Sequence, residues 1–327
     1  MGRAVVRGTL WLSIVLALIL AVSQSEAADD RKFRMFASVG TGEMNGIYYP
    51  LGGVICSIVN QNLRESGVRC SRETTPGSVY NIDALRTGEL EFALVQSDVA
   101  YDAFHGTGPY SGAPFPELRS VLAFHPELVT IVARPGIREL GDLKGKRIVA
   151  GPVGSGSRHT WDALVQALDW KQDQAPKIVD MPEDAVGTAL CSGAIDASLL
   201  VLGHPSDKVR ALLAGCPLDL VALDGPAVDS LVIGTPYLRK RPIPARFYGL
   251  AADVPSFGAS AVLVTTASMD SRVVADFAST LGAQIETLRN KSPVLADLTA
   301  QDMVTDKVPA PLHPAALEVY RKLGLLK

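Results

Sequence analysis

The stretch FRMFASVGTGEMNGIYYPLGGVICSIV, residues 33–59, decides the fold. Its apolar start, Phe33 to Val39, reads as a strand, and the apolar residues Leu51, Val54, Ile55, Ile58 and Val59 recur at helical spacing. Between them lies a glycine-rich turn, Gly40 to Gly46. A strand that feeds a helix through such a turn leaves backbone N–H groups uncovered at the positive end of the helix, a place that suits an anion. Similar turns recur at Thr74-Thr75-Pro76-Gly77-Ser78, at Gln96-Ser97-Asp98 and at Gly154-Ser155-Gly156-Ser157. Four small, donor-rich turns at strand ends predict one cleft assembled from several loops.

Outward from this stretch, strand and helix signals alternate, which predicts an α/β architecture with largely parallel sheets. The expected strands are Phe33–Val39, Val68–Glu73, Phe92–Val95, Val121–Phe124, Leu128–Ala133, Arg147–Ala150, Ala197–Leu202, Leu218–Ala222 and Ala261–Thr265. Trp161, Leu164, Val165 and Leu168 form one helical stripe, and Ser206 is placed to cap a helix containing Val209, Leu212 and Leu213. A longer helix is expected from about Met269 through Leu288, and a last one from Pro314. The strand–turn–helix pattern of 33–59 returns at 147–168, so the chain reads as two halves. His125-Pro126-Glu127 marks a crossing between them, and a return is expected in the proline-rich segment 236–255. Two α/β lobes joined in this way place a cleft at their interface, with hinge closure as its motion.

The first residues predict export. Arg3 and Arg7 precede an apolar run, Leu10 to Val22, that is short for a membrane span, and Ser25-Glu26-Ala27 offers small residues at a cleavage site. Cleavage after Ala27 removes Arg3, Arg7 and Glu26 and takes the formal charge from −3 to −4. This balance gives no basis for nucleic-acid binding. The four cysteines, Cys56, Cys70, Cys191 and Cys216, read most simply as two disulfides in an exported chain. Local pairing closes short loops; the two other pairings and buried free thiols stay open. No C-x-x-C spacing points to a metal.

Catalytic readings fail on the residues. Gly40-x-Gly42 lacks the third glycine of a dinucleotide fingerprint, and Gly151 to Gly156 is followed by Ser157-Arg158 where a P-loop needs Lys-Ser or Lys-Thr. Ser155 lacks the frame of a nucleophile elbow. His105, His125, His159, His204 and His313 are scattered, and three of them precede proline. The expectation is therefore binding, with no catalytic residue, cofactor or metal. Thr41, Ser78, Ser97, Ser155 and Ser157 bring hydroxyls to helix starts, where each either caps the helix or meets a ligand. Arg158, at a helix start where a cation is disfavoured, is explained either by a ligand carboxylate or by solvent.

Taken together the chain resembles the TAXI family of solute-binding proteins, the receptors of tripartite ATP-independent periplasmic (TRAP) transporters. The resemblance rests on Gly40-Thr41-Gly42 with Gly46-Ile47-Tyr48-Tyr49-Pro50-Leu51-Gly52-Gly53, Arg69-Cys70-Ser71 with Thr74 to Asn81, Gln96-Ser97-Asp98 and His125-Pro126-Glu127. It continues through Asp142 to Arg147, Gly154 to Arg158, Gly203-His204-Pro205, Phe257-Gly258 and Pro311-Leu312-His313-Pro314. Glu43-Met44-Asn45 is more polar than is usual there, and Ser157 stands where threonine is common.

The resemblance implies a type II-like periplasmic-binding fold, with lobe I formed by 28–126 plus 246–327, lobe II by 127–245 and the leader by 1–27. It implies a monomer that takes up a small anionic metabolite, a glutamate-like amino acid or a dicarboxylate such as 2-oxoglutarate, and delivers it to a fused TRAP membrane subunit. A ligand-sensing receptor is the alternative. The pocket residues carried over are Thr41, Gly42, Tyr48, Ser78, Gln96, Ser97, Ser155, Gly156, Ser157, Arg158 and His204.

Overall fold

A computed structural model describes residues 35–304 and 308–326. The expected leader, its cleavage after Ala27 and Phe33 lie outside the described residues.

The chain builds strand β1 (Met35–Gly40), helix α1 (Tyr48–Gln61), β2 (Val68–Glu73), α2 (Ser78–Thr87), β3 (Phe92–Gln96) and α3 (Ser97–His105). The long strand β4 (Leu118–Ala133) leads to β5 (Arg147–Val149), α4 (Gly156–Leu168), β6 (Lys177–Ile178), α5 (Val186–Ser192), β7 (Ala197–Leu202) and α6 (Asp207–Gly215). After β8 (Asp219–Leu220), α7 (Pro226–Gly234) and β9 (Arg239–Lys240), strand β10 (Phe257–Thr266) returns to the first half, followed by α8 (Ser271–Ala283), α9 (Ile285–Lys291) and α10 (Pro314–Lys322).

One mixed sheet results, in the order β2-β1-β3-β10-β4-β7-β5-β6. Within each half the strands are parallel: β1 with β2 and β3, β5 with β6 and β7. The expectation of largely parallel sheets needs one amendment, because β10 and β4 run antiparallel to each other and to their outer neighbours β3 and β7. Where two strands were expected about His125-Pro126-Glu127, one continuous strand spans 118–133. Pro126 lies opposite Ser260 beside a register shift in β10, an irregularity that accommodates a residue without an N–H.

Packed apolar residues flank this crossing in both halves. In the first half α1 lays Leu51, Ile55, Ile58 and Val59 on β1 and β3, and Phe92 stacks on Phe277 of α8 at 4.2 Å. In the second, Trp161 and Leu164 of α4 pack with Val129, Ile131, Ile148, Leu199 and Phe257. The helix expected from Met269 to Leu288 divides at Gln284 into α8 and α9; the apolar stripe runs on across the break, so periodicity did not reveal it. Ser206 does cap α6, accepting from the Val209 N–H at 3.3 Å.

The local disulfide pairing is the one formed, Cys56–Cys70 and Cys191–Cys216, with sequence separations of 14 and 25. In the chain-entropy account each stabilises by roughly 3 kcal/mol. Reducing both is expected to lower the melting temperature by roughly 10 °C for a chain of this size. Unfolding scans with and without reductant check this, and an unchanged midpoint contradicts it.

Candidate functional site

A cavity of about 580 Å³ opens where the strand ends of both halves meet. The first half contributes the β1–α1 turn (Gly42, Glu43, Gly46, Ile47, Tyr48), the start of α2 (Gly77, Ser78) and Gln96. The second contributes the β5–α4 turn from Gly151 to Ser157, the end of β7 and the segment from Asp180 to Glu183. Across the opening the two sides touch. The N–H groups of Val79 and Tyr80, both in the first turn of α2, donate to the Gly154 carbonyl at 3.1 Å. The Gln96 side-chain amide donates to Thr160 Oγ1 at 2.9 Å, and Thr160 donates to Asp98 at 3.2 Å. Gly77 adopts φ +125°, a conformation that favours glycine, and lies in contact distance of Ser155 across the opening.

The four turns have different fates. At α3 the positive helix end is filled by the protein's own Asp98 carboxylate, buried and held by Gln96 and Thr160. At α2, Val79 and Tyr80 are used by Gly154, which leaves the Ser78 N–H. At α4, Ser155 caps the helix by accepting from Arg158 N–H at 3.1 Å, which leaves the N–H groups of Gly156 and Ser157. First-turn N–H groups have no partner inside their own helix. Ser78, Gly156 and Ser157 all line the cavity, at the starts of helices of 10 and 13 residues.

The hydroxyls are partly committed. Ser78 Oγ accepts from Gln96 N–H at 3.0 Å, and Ser157 Oγ accepts from Val201 N–H at 3.1 Å. Ser78 also donates to the Tyr48 phenol, so its hydrogen is engaged within the protein, whereas Ser157 keeps its own hydrogen to donate, which suits an electron-rich guest.

Tyr48 donates its hydroxyl hydrogen to the Glu127 carboxyl at the cavity wall. Both are buried. Burial, with the Asp98 charge adding to it, pushes Glu127 up to about 8 despite the opposing Tyr48 bond. Burial and Glu127 together push the Tyr48 phenol well above its ordinary value. On the other side of Glu127 lies His125, Nε2 to Oε1 3.9 Å, which burial and His204 push down to about 3. At neutral pH the site therefore holds a mostly neutral carboxyl beside a neutral imidazole. Lys208, which also lines the cavity, forms an ion pair with Glu183. Burial pulls Lys208 down to about 8.

Of the residues expected from sequence, Gly42, Tyr48, Ser78, Gln96, Ser155, Gly156 and Ser157 line the cavity. Four do not. Thr41 is buried behind it and donates to the Glu73 carbonyl at 2.5 Å. Ser97 accepts from Ser260 N–H at 3.0 Å, tying α3 to β10. Arg158 turns to Asp162 and Asp180, each at 3.5 Å, so its place at a helix start is explained by carboxylates of the chain itself. His204 sits between Thr130 Oγ1 (2.9 Å) and the phenol of Tyr248 (2.6 Å), lining a second cavity of about 410 Å³.

Sequence reasoning passed over Glu127, Lys208, Glu183 and the apolar wall of β7. The one available signal was an acidic residue in the apolar run Leu118–Ala133; the Lys208–Glu183 pair is made only by the fold. Among the described residues no group of His, Cys, Asp and Glu is placed to hold a metal ion.

Residues 39–324 match the NMT1-like family. Among solved structures, a protein described as an L-cystine ABC transporter from Listeria monocytogenes is 11% identical, with 80% of this chain and 96% of that chain covered and a TM-score of 0.51. XAC2383 from Xanthomonas citri bound to ATP is 13% identical, with 90% and 100% covered and a TM-score of 0.52. Tv2483 bound to L-arginine is 15% identical, with 83% and 93% covered and a TM-score of 0.50. The likeness is one of fold: a mixed α/β sheet flanked by helices.

Proposed function

Because this chain belongs to the NMT1-like family, we propose that it is a solute-binding protein that captures a small organic anion between two lobes and delivers it to a membrane transporter. The observation that carries this reading is that the helix starts bearing Ser78, Gly156 and Ser157, from both halves, line one cavity beside a Tyr48–Glu127 pair. Relatives of the same fold that are named for L-cystine transport or hold L-arginine support capture of a small solute. The resemblance to TAXI receptors narrows the partner to a TRAP membrane subunit and the solute class to organic acids, glutamate-like amino acids and dicarboxylates included. The place of work is the periplasm, after cleavage following Ala27, and two disulfides suit that oxidising compartment. The protein acts by binding, with no reaction of its own.

In this mechanism, lobe I is 28–126 with the C-terminal segment, and lobe II is 127–245. The packing of Tyr248, Leu250 and Val254 beside the second-half core supports extending lobe II to about Phe257, with β4 and β10 as the hinge. Closure brings the starts of α2 and α4 together. Fixed N–H dipoles then replace the hydration shell of the anion without a full counter-charge.

Glu127 gives the reading a pH signature. Tyr48, His125 and Asp98 are the titratable groups facing it, and neither Tyr48 nor His125 changes charge near its pKa of about 8. Below that value the carboxyl is neutral and a neighbouring anion is tolerated; above it a second negative charge stands beside the ligand. Calorimetric titration with a panel of organic acids is expected to find a binder whose affinity falls by up to about tenfold per pH unit above 8. Glu127→Gln is expected to weaken that dependence, leaving the part that comes from Lys208, which lines the same cavity and loses its charge from about 8 upward. A folded, ligand-free preparation that binds no organic acid contradicts the function; a binder indifferent to pH contradicts the role of Glu127.

A further inference from the structure

Resting on the solute-binding reading above, we infer that the occupant of this cavity is a monoanionic organic acid with an apolar tail, and not a compact dicarboxylate. The cavity lining combines two chemistries. One part is the first turns of α2 and α4 with Tyr48 and Glu127. The other is apolar: Ile47, Met181, Val186, Leu200 and Leu202. These five belong to, or pack against, the apolar cluster under α5 and α6, so the second-half core opens directly onto the cavity. Val153 extends the apolar wall to the rim, where it is 76% exposed.

The charges of the lining argue against a second carboxylate. Lys208 is the cation among the lining residues, and its ion pair with Glu183 already neutralises it. Glu43 and Asp180 also line the cavity, the latter shared with Arg158 at 3.5 Å. A distal carboxylate would enter a region with no uncommitted positive charge and with Glu43 in it. Size points the same way. About 580 Å³ falls within the range of pockets that enclose a drug-sized ligand. A compact diacid would leave the apolar wall covered only by water.

The experiment is calorimetric titration of the mature protein with straight-chain carboxylates from acetate to octanoate, with phenylpropionate, and with succinate, adipate, glutamate and 2-oxoglutarate. The expected result is a gain of about fourfold in affinity for each added methylene that the wall covers. Each monoacid is also expected to bind at least about tenfold more tightly than the diacid of equal chain length. Met181 lies on a loop, so Met181→Gln keeps the fold while making the wall polar; Leu200→Asn does the same from β7. Both variants, checked for an unchanged melting temperature without ligand, are expected to flatten the chain-length gain and to leave acetate binding as it was. Tight binding of glutamate or diacids with no gain along the series overturns this inference and leaves the solute-binding reading standing. An unaltered chain-length gain in folded Met181→Gln and Leu200→Asn also overturns it. Absence of binding by every acid overturns both.

Discussion

Replacing Gly156 by valine is expected to weaken ligand binding by about a hundredfold or more while leaving a folded protein. Gly156 begins α4, and any Cβ there would overlap the Gln96 carboxamide and stand 2.8 Å from Ser78 Oγ. Gln96 cannot swing aside without cost, since its amide is buried and holds both Thr160 and Asp98. The overlap therefore falls between the halves rather than inside either core. The protein relieves it by staying open, which separates the N–H groups that must act together. The melting temperature without ligand is expected to change by only a few degrees, since no core residue is touched. Binding within a factor of about three of the wild type would show that closure at this point is not needed.

Stability is expected to peak near pH 6.5 and to fall on both sides. Burial pushes His125 and His204 down to about 3 and about 4, so their contribution is present above the ordinary histidine value of 6.5 and is lost as pH falls. Glu127 has the opposite sign: with its folded value raised to about 8, its contribution is present below the unfolded value of 4.5 and is lost as pH rises. Between 6.5 and 4.5 the two histidines and one carboxyl partly cancel, and below 4.5 the histidines act alone. The net loss by pH 4 is roughly 4 kcal/mol, and the loss from 6.5 to 8 is roughly 2 kcal/mol. The His159–Asp102 pair at 3.3 Å adds to the alkaline limb. Burial alone would lower His159, but its bond to Asp102 and the nearby carboxylates raise it, and that contribution is lost as pH rises. Denaturant unfolding across this range tests the shape. His125→Gln is expected to flatten the limb between 6.5 and 4.5, where one histidine then balances Glu127; a limb as steep as the wild type's would contradict the assignment.

The turns of the site were legible because they are local. Gly42, Gly77, Ser78, Ser155, Gly156 and Ser157 declare themselves by residue type at the junction of a strand pattern and a helix pattern, and all of these line the cavity. The strands 68–73 and 197–202 have the bounds expected from sequence. Illegible were features made by distant parts of the chain. Glu127 reads as part of a crossing until burial and Tyr48 give it a role. Arg158 reads as a ligand contact until Asp180 arrives beside it, although its other partner, Asp162 at i+4, stood in the sequence. His204 and Ser97 were drawn to the cleft by neighbouring motifs, yet each serves a strand junction. The antiparallel pairing of β4 with β10 joins residues more than a hundred positions apart, and no periodicity records it.

The most direct measurement is amide chemical-shift mapping of the isotope-labelled protein as a bound organic acid is titrated in. The account predicts that the N–H signals of Ser78, Gly156 and Ser157 move furthest and together, since these three donors, from opposite halves, meet the anion. Shifts confined to one half, or centred on the second cavity around His204 and Phe247, would contradict it.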